Sequence, residues 1–232
     1  MTSPPRVDVI IPVFNLGEYL AGAVSSALDQ RGVGTRVIVI DDGSDEPVVA
    51  DDFGWPPDRV TLLRNEERRG IAASTNRGLE LLEAPFVGFL DADDLWPVDR
   101  CRVLHDRLVA AAADIAYGIQ VVFNDGDEPI LEAQPPSPAG DPTLLGGATL
   151  IDAGAFTRVG RFDESLRVGS YLSWLVAGRH LDPPLREIPV NAVTLLRRSH
   201  ARNTTRTLTH EFTDYLQAVV AHRRAIGERS ID

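Results

Sequence analysis

Apolar positions along this 232-residue chain fall into two rhythms. Four short, nearly continuous apolar runs over 7–14, 35–40, 60–63 and 86–90 read as buried strands. Helix-period segments lie between them. The first is expected to start at Asn15, with Glu18 three residues on as its capping-box partner and Leu20, Val24, Ala27 and Leu28 on one face. A second helix is expected over 71–83. A third is expected over 97–114, burying Leu104, Leu108 and Ala111, with Pro97 in its first turn, where no N–H is needed. Strands alternating with helices imply a mostly parallel sheet.

The second half is less regular. Residues 115–123 read as a further strand, and the Pro/Gly/Asp-rich stretch 124–142 as an exposed loop. Short helices are expected near 151–159 and 170–181, then a last strand over 188–196. The tail over 208–226 is amphipathic, with Phe212, Tyr215, Leu216, Val219 and Val220 on one side; packing on its own domain and a homodimer contact both fit. No internal repeat is visible. The fold class expected is α/β, a Rossmann-like parallel sheet flanked by helices in a single domain over 1–232.

Composition narrows the function. A formal net charge of -11 and a pI near 4.9 argue against nucleic acid or anionic membrane as partners, since both select basic patches. All 23 basic residues are arginine, which removes lysine Schiff-base chemistry and a P-loop lysine. Cys101 is the sole cysteine, so an intrachain disulfide or a thiolate zinc cluster cannot form. No run approaches the roughly 18 apolar residues of a membrane span, and no targeting segment is recognisable. A soluble cytoplasmic protein is the expectation.

Candidate chemistry sits at strand ends, where open parallel sheets bind ligands. The second strand ends in DDGSD and the fourth in FLDADDLWP, gathering Asp91, Asp93 and Asp94 within four positions. Like charges that close repel. Either the segment is a solvated turn or it holds a divalent cation, for which hard carboxylate oxygens suit Mg2+ or Mn2+. Asp94 reads as a cap on the turn that follows it. Asn15 reads as a helix cap. Late in the chain, LLRRSHARNTTRT places Arg197, Arg198, Arg202 and Arg206 around His200, the densest basic run of an acidic chain. Gly32-Val33-Gly34-Thr35-Arg36 looks like a nucleotidyltransferase phosphate loop, but it precedes a strand and lacks the lysine; it is read as a turn.

The stretches VDVIIPVFN, VIVIDDGSDEP, NEERRGIAASTNRGL, FLDADDLWP and VGRFDESL, in that order, resemble family 2 glycosyltransferases of the GT-A fold, over about 7–200. The resemblance implies a hexosyltransferase-like enzyme with a nucleotide-sugar donor, most simply a UDP-sugar, and inversion at the anomeric carbon. It divides the chain into a nucleotide-sugar-binding half, about 1–97, and an acceptor half, about 98–232. It implies that Pro12, Val13 and Phe14 flank the base and that Asp42 accepts from the uracil N3–H. Arg69 and Gly70 would contact the nucleoside, with Asn76 on the following helix. Asp91 and Ala92 would lie near the ribose. Asp93, with Asp91 and His200, would hold Mg2+ or Mn2+ on the diphosphate, which Arg198 would also bind.

One departure matters. Inverting relatives place an acidic pair at the start of a helix in the acceptor half, as the base that deprotonates the acceptor. The matching positions here are Ser170 and Tyr171, and no acid occurs between Leu166 and Asp182. Serine is not a base at pH 7, and a phenol with a pKa near 10 needs strong perturbation. Three readings remain: a base elsewhere, such as Asp163, Glu164 or a residue of 124–142; an acceptor that ionises more readily, such as a phenol, thiol or acid; or a non-catalytic nucleotide-sugar-binding or partner protein of the same fold. Asp163 and Glu164 also read as a turn that positions its loop. The acceptor itself is not identified.

Overall fold

The computed structural model describes residues 3–129, 131 and 141–201. The amphipathic tail, Arg202, Arg206 and much of 124–142 lie outside the described residues.

The four apolar runs form β1 (Arg6–Val13), β2 (Gly34–Asp41), β3 (Val60–Arg64) and β4 (Phe86–Phe89), mutually parallel where they pair. Three more strands follow: β5 (Ile115–Asn124), β6 (Thr149–Asp152) and β7 (Glu187–Ser199). They complete one sheet ordered β3-β2-β1-β4-β6-β5-β7, with β6 antiparallel to both neighbours and β7 parallel to β5. The expected helix near 151–159 therefore begins as a strand, and only α4 (Gly154–Val159) is helical. At four residues, TLID is too short to show alternation, and Thr149, Leu150 and Ile151 are all buried, so no polar face marks it.

Period-2 alternation divides the core into two layers. On one face Val9, Ile11, Val37 and Val39 meet Leu20 and Val24 of α1 (Gly17–Leu28) and Leu104 and Leu108 of α3 (Arg100–Ala111). On the other, Ile10, Ile38, Ile40 and Phe89 meet Ala72 of α2 (Ile71–Leu79), Ala155 of α4 and Trp174 of α5 (Ser170–Arg179). Asn15 does not cap α1, and the Glu18 capping box is not formed: Leu16 is the N-cap, without a side-chain bond. Asn15 instead adopts φ 55 and pairs its amide both ways with Asp45, at 2.9 Å each. That exchange ties the end of β1 to the DDGSD loop.

Two features position the site. The chain steps outward from β1 to β2 and β3, then returns across β1 to β4, so the strand order reverses between β1 and β4; crevices at such reversals hold ligands in doubly wound sheets. Beneath the loop after β4, the Arg100 guanidinium lies 3.5 Å over the Trp96 ring, both residues fully buried. Carbonyls of Thr194 (3.1 Å), Gly147 (3.2 Å) and Thr149 accept its N–H groups. Each such charge-assisted bond contributes about 1.5–3 kcal/mol against the cost of burying the ion. Gly88 makes room: a Cβ there would sit 2.7 Å from the Trp96 ring.

Candidate functional site

β1 lies between β2 and β4 in the sheet, so the carboxyl ends of β2 and β4 are two strand spacings apart, roughly 10 Å. Two acidic constellations rise there, and they are built differently.

At the end of β2, Asp42 is buried and takes four donors. Its Oδ1 accepts from Asn65 Nδ2 (2.8 Å), Ser74 Oγ (2.8 Å) and the Arg69 N–H (2.9 Å), and its Oδ2 from the Gly70 N–H (2.8 Å). A carboxylate offers about four lone-pair sites. Protein groups thus pin Asp42, and through it the Arg69–Gly70 backbone and the start of α2, while Oδ2, with a single donor, keeps one lone pair. Asp41, fully buried, does the same for its own loop, accepting from Ser44 N (2.9 Å) and Val48 N (3.2 Å) and pairing with Arg64. These bonds, led in number by the Ser44 pair, outweigh burial and hold its carboxyl below the usual range. Gly43, which follows them, has φ 74, and a Cβ there would meet the Glu67 carbonyl carbon at 2.7 Å. Only glycine lets the two loops touch. Pro12, Val13 and Phe14 end β1 beside this wall, and the Arg68 guanidinium lies 4.1 Å from the Phe14 ring centre.

Arg69 and Asn76 turn toward the loop before α5. Asn76 exchanges hydrogen bonds with the Phe162 backbone (2.9 and 3.0 Å) and donates to Glu164 Oε1 at 3.0 Å. Arg69 reaches Glu164 Oε2 at 3.4 Å. Asn76 is thus a buried clip between α2 and the loop before α5, not a donor contact, and Glu164 is held by both. Asp163 caps Ser165 through its N–H (2.9 Å) and hydroxyl (2.6 Å), which keeps its carboxyl low.

After β4, Asp91, Asp93 and Asp94 each present a carboxylate oxygen within 4.8 Å of the others. Ala92 between them is buried. The last strand completes this corner. Leu95 and Leu196 exchange backbone hydrogen bonds at 2.9 Å each way, which carries His200 Nε2 to 2.8 Å from Asp93 Oδ2. Asp94 does not cap the turn after it; its Oδ1 accepts from the Arg198 N–H at 2.9 Å. Burial first, then the Asp91 and Asp93 charges, pushes Asp94 up to about 8. Asp91, at the solvent-facing side of the corner, is pushed up as well, by desolvation and by the Asp93 charge. Crowded, mutually repelling carboxylates with a buried imidazole beside them fit a hard divalent cation, whose charge relieves that repulsion. No thiolate is near.

Arg198 is placed differently from expectation. Its guanidinium sits over Tyr19 (4.9 Å) and Phe123 (4.6 Å), its Nε donates to the Asp93 carbonyl at 3.0 Å, and its NH1 reaches Asp125 at 3.3 Å. It braces the corner from within. Arg197 is near enough for its charge to lower both Asp91 and Asp94.

Ser170 and Tyr171 open α5 where an acidic pair was sought. Ser170 is buried. Tyr171 packs among Phe89, Phe162 and Trp174 at 6.3–6.4 Å between ring centres, and its hydroxyl lies 3.2 Å from Thr149 Oγ1. Burial drives its phenol well above the ordinary value. That is the wrong direction for a base, and Tyr171 is removed from that role. Asn65, Ser74, Tyr19 and Asp125 were missed by sequence reasoning. Asn65 and Asp125 each directly follow a strand, the one position signal available; Ser74 and Tyr19 carried none.

Known proteins match this arrangement. The family model for glycosyl transferase family 2 covers residues 8–163. The chain is 33% identical to the putative teichuronic acid biosynthesis glycosyltransferase TuaG of Bacillus subtilis, over 53% of this chain and 50% of that protein. It is 33% identical to the succinoglycan biosynthesis protein ExoO of Rhizobium meliloti, over 53% of this chain and 35% of that one. The chain spans about half the length, or less, of these relatives. Among solved structures it is similar to the mannosyltransferase PcManGT of Pyrobaculum calidifontis with GDP-Man and Mn2+ (TM-score 0.70, 18% identity, 93% of this chain and 65% of that one). It is also similar to S. aureus TarS 1-349 with UDP (TM-score 0.67, 17% identity, 84% of this chain and 60% of that one). At such identities the likeness concerns the fold, which is GT-A. No helix among the described residues is long and apolar enough to cross a membrane.

Proposed function

The chain belongs to glycosyl transferase family 2, and on that premise we propose that it transfers a sugar from a nucleotide diphosphate donor, with inversion, to an acceptor nucleophile. The observation that carries this is the corner formed by Asp91, Asp93, Asp94 and His200 beside the loop that Asp42 latches. The base would lie on the wall of Phe14, Arg68, Arg69 and Gly70, with the backbone of Pro12 and Val13 as its floor. UDP is the first donor to try, because TarS was solved with UDP; GDP is the second, from PcManGT. Asp93, Asp91 and His200, with Asp94 closing the set, would hold Mg2+ or Mn2+, which when bound would neutralise the departing diphosphate. Arg197 adds a fixed positive charge at the same corner.

Acceptor activation is where this chain differs. Asp163 and Glu164 are spent on Ser165, Asn76 and Arg69. In the described part of 124–142, Asp125 and Asp127 bond Tyr19 and Asn124, while Glu128 and Asp141 are exposed. The first reading is one of these two carboxylates as the base, or an acceptor group that ionises more readily than a sugar hydroxyl, a phenol, thiol or acid. The aromatic filling at the start of α5 also favours a second reading, donor binding without turnover. Purified protein incubated with UDP-, TDP- and GDP-sugars, Mn2+ and phenol, thiol or carboxylate acceptors is expected to release nucleotide in an acceptor-dependent way. Donor binding with no release under any pairing selects the second reading. Absence of donor binding defeats both.

A further inference from the structure

His200 is set by more than its contact with Asp93. Its ring lies 5.0 Å from the Tyr19 ring, tilted by 31°. Tyr19, on the first turns of α1, donates its hydroxyl to Asp125 Oδ2 at 2.8 Å. Asp125 follows β5, and its other oxygen receives Arg198 at 3.3 Å, while its N–H donates to the Ser199 carbonyl at 3.1 Å. Arg198 closes the circuit by lying over the Tyr19 and Phe123 rings and donating to the Asp93 carbonyl. Three separate parts of the chain, α1, the end of β5 and the end of β7, thus converge behind one imidazole. Residues that orient a metal-binding histidine matter for the metal although they never touch it.

We propose that Tyr19 and Asp125 are positioning residues that hold the His200 imidazole against Asp93, so that α1 and the segment after β5 set the affinity of the acidic corner for its cation. The inference rests on the metal-binding reading given above. Tyr19 supplies a flat wall that fixes the ring plane. Asp125 supplies a double tie: it anchors that wall through the hydroxyl, and it anchors the strand end bearing His200 through Arg198 and the Ser199 carbonyl. Asp125 is 44% exposed, so solvent weakens its charge, and the ring contact is expected to carry more of the effect.

The test combines two readouts on the whole chain. Mn2+ binding in the presence of UDP is titrated for wild type, Tyr19→Ala, Tyr19→Phe, Asp125→Ala and His200→Ala. Tyr19→Ala is expected to weaken Mn2+ binding about tenfold, the lower end for residues that orient a metal ligand. Asp125→Ala is expected to weaken it less, and Tyr19→Phe, which keeps the ring, least. In the His200→Ala background the Tyr19→Ala and Asp125→Ala changes should add almost nothing, because their effect runs through the imidazole. The second readout is the His200 ring resonance of the metal-free protein. It should move in Tyr19→Ala and Asp125→Ala while His105 and His180 stay in place. An unmoved His200 resonance in both variants overturns the proposal, as do Mn2+ losses that persist in full without His200. Wild type that binds UDP but no Mn2+ instead defeats the metal reading, and the resonance still decides whether these two residues hold the ring.

Discussion

At the end of β2, four donors converge on the Asp42 carboxylate; at the start of α5, the Tyr171 hydroxyl makes a 3.2 Å bond in a nest of rings. The first region is polar, buried and densely hydrogen-bonded, so each side chain there has one position it can hold without leaving a buried group unsatisfied. The second is mostly aromatic, held by ring packing with two hydrogen bonds, from Tyr171 to Thr149 and from Trp174 to the Gly160 carbonyl, and carries no carboxylate. The contrast teaches where the described residues concentrate their buried polar groups: at the end of β2 and not at the start of α5.

The sharpest way to break the comparison is Asp42→Ala. It strips partners from Asn65, Ser74 and two backbone N–H groups at once, each costing about 1–3 kcal/mol if left buried and unpaired. A net loss of at least about 3 kcal/mol is expected, or roughly 6–12 °C in Tm for a chain of this size, with loss of UDP binding by calorimetry. A fall of less than about 3 °C by thermal melt would mean that the latch does not hold the loop.

Asp94→Asn probes the charged corner. Because the folded protein raises this carboxyl from the ordinary 3.8 to about 8, it binds the proton more tightly than the unfolded chain does. Stability from this group therefore falls as pH climbs from about 4 to about 8. The neutral amide removes that slope while its oxygen can still accept from Arg198. Metal-free Asp94→Asn should melt higher than wild type at pH 8, by about 3 °C, with little difference at pH 4, and Mn2+ with UDP should erase the gain. Equal melting at both pH values would show that the carboxylate repulsion carries no weight.

Tyr171→Phe is the mildest change. Loss of one neutral hydrogen bond predicts about 0.5–1.5 kcal/mol in stability and turnover within about twofold. A drop of about 100-fold, the scale of general-base catalysis, would return Tyr171 to the chemistry and erase the distinction between the two regions.

Much of the first half was legible because β1, β2 and β4 are largely buried on both faces and so announce themselves as apolar runs. DDGSD and FLDADDLWP stood at their ends, where the three aspartates gather and His200 reaches Asp93. What each residue bonds to was not legible. Asp42, Asn76 and Arg198 are the right residue types for ligand contact, yet the groups that hold them, Ser74, Phe162 and Tyr19 among others, lie 32, 86 and 179 positions away. No local pattern encodes such pairings. Asn15 failed as a cap for the same reason, since Asp45 competes for its amide. β6 was hidden because it has four residues, the first three all buried, and so shows no period. The stretch that signalled a missing base was read correctly as lacking an acid, and packing explains what stands there: rings that fill the space between α4, α5 and β4.

The paired backbone bonds between Leu95 and Leu196 have a consequence for synthesis. About a hundred residues must leave the ribosome between the two partners, so the early strands can assemble while the acidic loop still lacks its imidazole and its brace. Growing chains bury their first strands before their last. The acidic corner is therefore complete only once β7 has been made: a nascent chain stalled before β7 would carry the aspartates without His200 or Arg198.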